Sequence, residues 1–72
     1  MSLPVLTRER AVRAFLKAGW MRDRQVGSHV ILIKPGHAAV LSLPLHREVA
    51  PGTLRAPIRV SGMSIQQFQD ML

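Results

Sequence analysis

The chain has 72 residues, of which 47% are hydrophobic, and a formal net charge of +6 at pH 7. A chain of this length has room for one core, so we expect residues 1–72 to form a single domain, and the apolar fraction excludes a disordered chain. Cysteine is absent, which excludes disulfides and thiolate metal sites, and no apolar run has the length of a membrane span or the layout of a secretory signal. We therefore expect a soluble, cytoplasmic protein with no membrane contact.

The positive charge is carried mainly by arginine, because eight arginines and two lysines stand against four carboxylates. A planar guanidinium can bind phosphate through two parallel hydrogen bonds and can stack on a base. The composition therefore favours a nucleic acid as the partner. The alternative interpretation is a charged surface that only keeps a small protein dissolved.

A helix is predicted first, after a short lead-in. Thr7 is its expected N-cap, and Gly19 is placed to end it. Val12, Phe15 and Leu16 recur on one helical face, which we expect to pack on the core.

Three strands are predicted next, at residues 20–26, 30–33 and 38–43. Short turns separate them at Gly27-Ser28 and at residues 34–37. Because such turns join neighbouring strands, we expect an antiparallel meander. Trp20, directly after the helix stop, is expected to anchor the core rather than to stack on a base.

The last third of the chain returns to helix. Thr53 is a candidate N-cap for a helix that Gly62 ends, but Pro57 lacks the backbone donor that a helix interior needs. Either the helix begins where Pro57 falls near its first turn, or it begins at Pro57 itself. Ser64 and Gln67 have the spacing of a capping box before a short closing helix. The predicted fold is α+β in the order α-β-β-β-α, with a further helical turn or two.

The three histidines are the side chains that titrate near neutrality. His29 opens the middle strand and is the candidate general acid or base for cleaving an RNA phosphodiester. Its imidazole can take the proton of a 2′-hydroxyl or give a proton to the departing 5′-oxygen. The alternative is a polar turn residue without a catalytic role. For His37 and His46 we prefer the interpretation as exposed polar residues, with contact to RNA or a partner as the alternative for His46.

The candidate RNA contacts surround His29 in the sequence. Arg22, Arg24 and Lys34 are expected beside it, where they would hold the phosphate and offset developing charge. Ser28 can donate a hydrogen bond to the phosphate or to the imidazole. These assignments rest on charge and position alone.

No metal ion or other cofactor is expected. The histidines have irregular spacing, and the carboxylates are scattered along the chain. A triad of Ser28, His29 and Asp23 is not favoured, because adjacent residues of a strand point to opposite faces.

Several short motifs resemble the HicA mRNA-interferase toxin family. The steps Gly19-Trp20 and Gly27-Ser28-His29 match the family's helix end and the turn that follows its first strand. The later matches are Pro44-x-His46, Gly52-Thr53-Leu54-Arg55 followed by Ile58, and Gly62-x-Ser64 followed by Phe68. Together they run from about Val5 to the end, in the family's order.

The resemblance implies a fold similar to the double-stranded RNA-binding domain, with a three-stranded antiparallel sheet covered on one face by helices. It also implies a toxin that cleaves mRNA, that is silenced by a HicB antitoxin, and whose catalytic histidine is His29. Val30 and Pro57 depart from the family's usual residues. The alternative is a non-catalytic RNA-binding domain or an inactive relative of the toxins.

Overall fold

The computed structural model describes residues 3–72. Its elements in chain order are β1 (Leu6–Thr7), α1 (Arg8–Lys17), β2 (Met21–Val26), β3 (His29–Ile33), β4 (Leu41–Pro44), β5 (Glu48–Val49), α2 (Pro51–Ser61) and α3 (Ile65–Asp70). Strands β2, β3 and β4 form an antiparallel sheet in that order, which confirms the predicted α+β meander. None of the helices within residues 3–72 combines the length and the hydropathy needed to cross a lipid bilayer.

A second, two-stranded sheet was not predicted. Leu6 pairs with Val49 and Thr7 with Glu48, antiparallel. Each strand has only two residues, so its sequence shows no alternation to detect. Leu6 and Val49 are both buried, so this pairing packs the lead-in and the segment before α2 onto the core.

Helix α1 begins and ends as predicted. The Thr7 side chain accepts a hydrogen bond from the Arg10 backbone at 3.2 Å, and Gly19 follows the last turn with φ of 100°. Phe15 is fully buried, but Leu16 is 39% exposed, so its predicted place on the core face is wrong. The alanines of α1 are the reason, because Ala11 and Ala14 are buried and turn the apolar face away from Leu16.

The third strand of the meander starts later than predicted. The register pairs Leu32 with Leu41, so residues 34–40 form the connection and Ala38 is not part of the strand. Pro44 is the last residue of the strand, which ends where the sequence predicts. A proline is accepted there because β4 is an edge strand.

The observed start of helix α2 differs from both predicted starting points. It begins at Pro51 after Ala50, so Thr53 lies inside the first turn and Pro57 lies in the interior. An interior proline costs about 3 kcal/mol of helix stability through its missing donor and its crowded ring. Pro57 is buried while Thr53, whose carbonyl loses that donor, is exposed to water. Gly62 ends the helix in the left-handed region, as predicted.

The core lies between the helices and one face of the sheet. Trp20 is 1% exposed, which confirms its assignment to the core. The rings of Phe15 and Phe68 lie 4.9 Å apart and join α1 to α3. The predicted capping box at the start of α3 is present, with Ser64 and Gln67 exchanging both hydrogen bonds.

Candidate functional site

The two faces of the sheet differ in what covers them. Four residues belong to the core and lie on the helix side: Val30, Leu32, Leu41 and Leu43. Side chains alternate along a strand, and directly paired residues share a face. The opposite face, which we call the open face, therefore carries His29, Ile31, Ile33, Ser42 and Pro44, with their β2 partners Met21, Arg24 and Val26.

His29 is presented by a tight hairpin. Val26 pairs with His29, so Gly27 and Ser28 are the two loop residues. Gly27 has φ of 56° and Ser28 does not have a positive φ, which fits a type II′ turn with glycine at its first central position. The Ser28 carbonyl accepts a hydrogen bond from the Leu45 backbone at 2.7 Å. The turn is thereby fixed to both neighbouring strands.

The His29 backbone is held on both sides, whereas its side chain is exposed. Its partners are Val26 in β2 and Pro44 in β4. Within residues 3–72 no hydrogen bond or ion pair engages its imidazole. Both ring nitrogens are therefore available to a substrate from the open face.

Only one of the predicted β2 arginines shares this face. Arg24 pairs with Ile31 on the open face, diagonally next to His29, while Arg22 pairs with the core residue Leu32. A bulge at Asp23 separates the two arginines in the register. The Arg24 guanidinium also pairs with the Asp23 carboxylate.

Lys34 does not lie beside His29. The two residues lie at opposite ends of β3, about 16 Å apart at roughly 3.3 Å per residue. The Lys34 ammonium donates to the Ala18 carbonyl at 3.0 Å and so closes the carboxyl end of α1. In the described residues its contacts are structural, and a role at the phosphate nearest His29 is not supported by this geometry.

The family model described as HicA toxin of bacterial toxin-antitoxin matches residues 8–63. The chain belongs to the HicA toxin family. The matched region begins with α1, ends just past α2, and contains every residue of the open face. Comparisons with curated proteins and with solved structures gave no significant match.

The HicA toxin has one cation near the turn that the sequence did not indicate. Arg8 donates from its guanidinium to the Leu45 carbonyl at 3.2 Å and to the Glu9 carboxylate at 3.0 Å. Leu45 is the residue bonded to Ser28, so Arg8 lies close to the hairpin that presents His29. Arg8 and Leu45 are 37 residues apart, and no local pattern signals a contact of that kind.

The pKa of the Glu9 carboxyl reflects the charged groups around Arg8. Its pKa lies below the usual 4.5, chiefly because a backbone N–H donates to its carboxylate. The hydrogen bond and charge of Arg8 lower the pKa further, as does the charge of Arg22. The influence of Arg22 on a helix residue agrees with its place on the helix side of the sheet.

The site is a surface rather than a pocket. Clefts of about 370 and 290 Å³ lie against α3, and His29 lines neither of them. Within residues 3–72 no three His, Asp or Glu side chains come together as a metal ion would require. An exposed imidazole beside an arginine, outside both clefts, suits a polymeric anion better than a small molecule.

Proposed function

We propose that this HicA toxin is a metal-independent endoribonuclease that cleaves mRNA in the cytoplasm, with His29 as a proton-transferring catalytic residue. The observation that carries the proposal is the exposed, unengaged imidazole of His29 beside Arg24 on the open face. Membership of a toxin family supports it, as does the net charge of +6, which favours binding to the phosphate backbone.

In the proposed reaction the ribose 2′-hydroxyl attacks its own phosphate. His29 acts as general acid or base at this centre. Arg24 holds the phosphate and offsets the charge that develops on its oxygens, and the Ser28 hydroxyl donates a hydrogen bond nearby. Arg22 lies on the helix side of the sheet, and Lys34 lies at the end of β3 far from His29. Each can therefore contact only other parts of the RNA.

The test is cleavage of an RNA by the purified protein in the presence of a chelator. His29→Ala is expected to lower the rate by about 10²- to 10⁴-fold, the usual contribution of one proton-transfer group. His37→Ala is the matched control, because His37 packs edge-on against Trp20, 5.1 Å between ring centroids, at the other end of the sheet. RNA affinity and the unfolding midpoint should remain near wild type in His29→Ala.

Two results would contradict the proposal. Equal cleavage by His29→Ala and wild type would remove His29 from the reaction. RNA that binds but stays intact with wild type would favour the non-catalytic RNA-binding alternative.

We further propose that a HicB-like antitoxin silences the toxin by covering the open face. Met21 and Val26 are 46% and 52% exposed there, and Val26 lies directly opposite His29. Apolar side chains beside a cationic site suit an acidic partner with its own apolar contacts. Val26→Asp should weaken binding of a HicB-like antitoxin, and Val5→Asp, a similarly exposed valine outside this face, should not.

A further inference from the structure

Cleavage by an internal 2′-hydroxyl needs two proton transfers, and this inference rests on the function proposed above. One transfer removes the 2′-proton, and the other protonates the 5′-oxygen as it leaves. A single imidazole can make both transfers only in successive steps, whereas a concerted cleavage needs one neutral and one protonated group. A concerted reaction therefore requires a second group that titrates near neutrality close to His29.

The β3–β4 ladder continues past the end of β4. His29 is opposite Pro44, and the hydrogen bond from Leu45 to the Ser28 carbonyl extends the same register by one residue. His46 therefore directly follows the residue that bonds to Ser28, next to the turn that presents His29.

The odd-numbered residues of this segment pack against the core up to Leu45, although Pro44 is half-buried as well. Leu41 and Leu43 are buried, and Leu45 is partly buried against the core. Ser42 and His46, between and beyond them, are exposed. The period of two assigns His46 to the open face, the face of His29.

The remaining histidine does not meet this requirement. His37 donates its backbone N–H to the Lys34 carbonyl at 3.0 Å in the turn after β3. That turn lies at the end of β3 opposite to His29, where the His37 ring packs against Trp20. The three histidines of the sequence thus leave His46 as the partner of His29.

We propose that His46 is the second catalytic residue, which transfers the proton that His29 does not. The 2′-oxygen forms a bond to phosphorus while its proton passes to the neutral imidazole. The bond between phosphorus and the 5′-oxygen breaks, the oxygen keeps the electron pair, and the protonated imidazole supplies its proton. The products are a 2′,3′-cyclic phosphate and a 5′-hydroxyl, so no water or metal is consumed.

Charged groups of both signs lie near the pair, although by the same period of two Arg47 faces the helix side, where Arg8 also lies. Arg47 follows His46 directly, and Arg8 of α1 bonds the Leu45 carbonyl while carrying Glu9 on its other nitrogen. From β2, Arg24 reaches the open face together with its partner Asp23. Arg24, which shares their face, favours a bound phosphate between the imidazoles.

The first test is the pH dependence of kcat/KM for a short RNA. Wild type should show a bell-shaped profile, because one imidazole must be neutral and the other protonated. In His46→Ala and His46→Gln, kcat/KM should fall by about 10²- to 10⁴-fold, and its pH profile should keep only one limb of the bell. His37→Ala should keep both limbs, and unfolding midpoints will show that each variant is folded.

The second test replaces the 5′-oxygen of the scissile bond by sulfur. A thiolate leaves without protonation, so this substrate should restore cleavage to whichever of His29→Ala and His46→Ala lacks the acid. The other variant, which lacks the base, should stay slow.

The outcomes separate the two proposals. If His29→Ala is inactive but His46→Ala keeps both limbs, His46 has no proton-transfer role and the ribonuclease assignment stands. If wild type leaves both RNAs intact, the proposed function fails and this inference fails with it.

Discussion

Arg22 and Arg24 are two residues apart in one strand, yet they lie on opposite faces of the sheet. In a regular strand, residues at this spacing share a face. The bulge at Asp23 shifts the register, so that Arg22 faces the helices opposite Leu32 and Arg24 joins the open face opposite Ile31. A single inserted residue therefore decides which arginine can reach a phosphate beside His29.

This relationship predicts different effects for two equal substitutions. Arg24→Ala should lower kcat/KM for RNA by roughly tenfold, about 1.4 kcal/mol, because it removes a cation from the reacting phosphate. It should also reduce the slope of log affinity against log salt by about 0.7, the value for one contact with single-stranded RNA. Arg22→Ala is the matched control for the reaction rate and should not lower kcat/KM by a comparable amount. Similar losses in both variants would mean that RNA follows a path other than the open face.

Replacement by alanine should have opposite effects on the stability of the fold at Gly27 and at Gly52. A Cβ would meet no atom within 4 Å at either position, so only the backbone conformation differs. Gly27→Ala places a side chain at φ of 56° and should destabilise the fold by about 1–2 kcal/mol. Gly52→Ala, within α2, should stabilise it by about 0.4–1 kcal/mol because the unfolded chain loses freedom. Urea unfolding with an unchanged m-value measures both, and a stabilising Gly27→Ala would refute the type II′ assignment.

Local signals predicted the elements that contain them. The caps at Thr7 and Ser64 are contacts within three residues of the chain, so the sequence alone specifies them. Trp20 was placed in the core correctly because a large aromatic has few other places in a small domain. The position of His29 at the end of a hairpin followed from Gly27-Ser28.

The predictions that failed depend on pairing between residues that lie far apart in the sequence. The strand at Leu6 forms only because Val49 lies beside it, and the start of β4 follows from the register with Leu32. The Asp23 bulge, which moved Arg24 away from Arg22, also has no mark in the sequence. Charge alone grouped Lys34 with His29, although β3 holds them at opposite ends.

The Glu9 carboxylate should make stability depend on pH in the acidic range. Its pKa is lowered in the folded protein, so the charged form is favoured there, and its contribution is complete above the usual 4.5. That contribution is lost as the pH falls through the lowered folded value. Glu9→Gln should therefore lower the melting temperature at pH 7, and the difference from wild type should vanish in strong acid. A difference that stays constant down to pH 2 would show that packing, not charge, is responsible.

The capping box of α3 should behave as one unit. The Ser64 hydroxyl accepts from the Gln67 backbone at 3.0 Å, and the Gln67 side chain accepts from the Ser64 backbone at 2.8 Å. Ser64→Ala should cost about 1 kcal/mol, the usual loss at an N-cap. Because Phe68 follows at once and is fully buried, the helix end and the core loosen together. In a double-mutant cycle, Ser64→Ala with Gln67→Ala should cost less than the sum of the single changes by about 0.5 kcal/mol or more, whereas strict additivity would mean that the two bonds form independently.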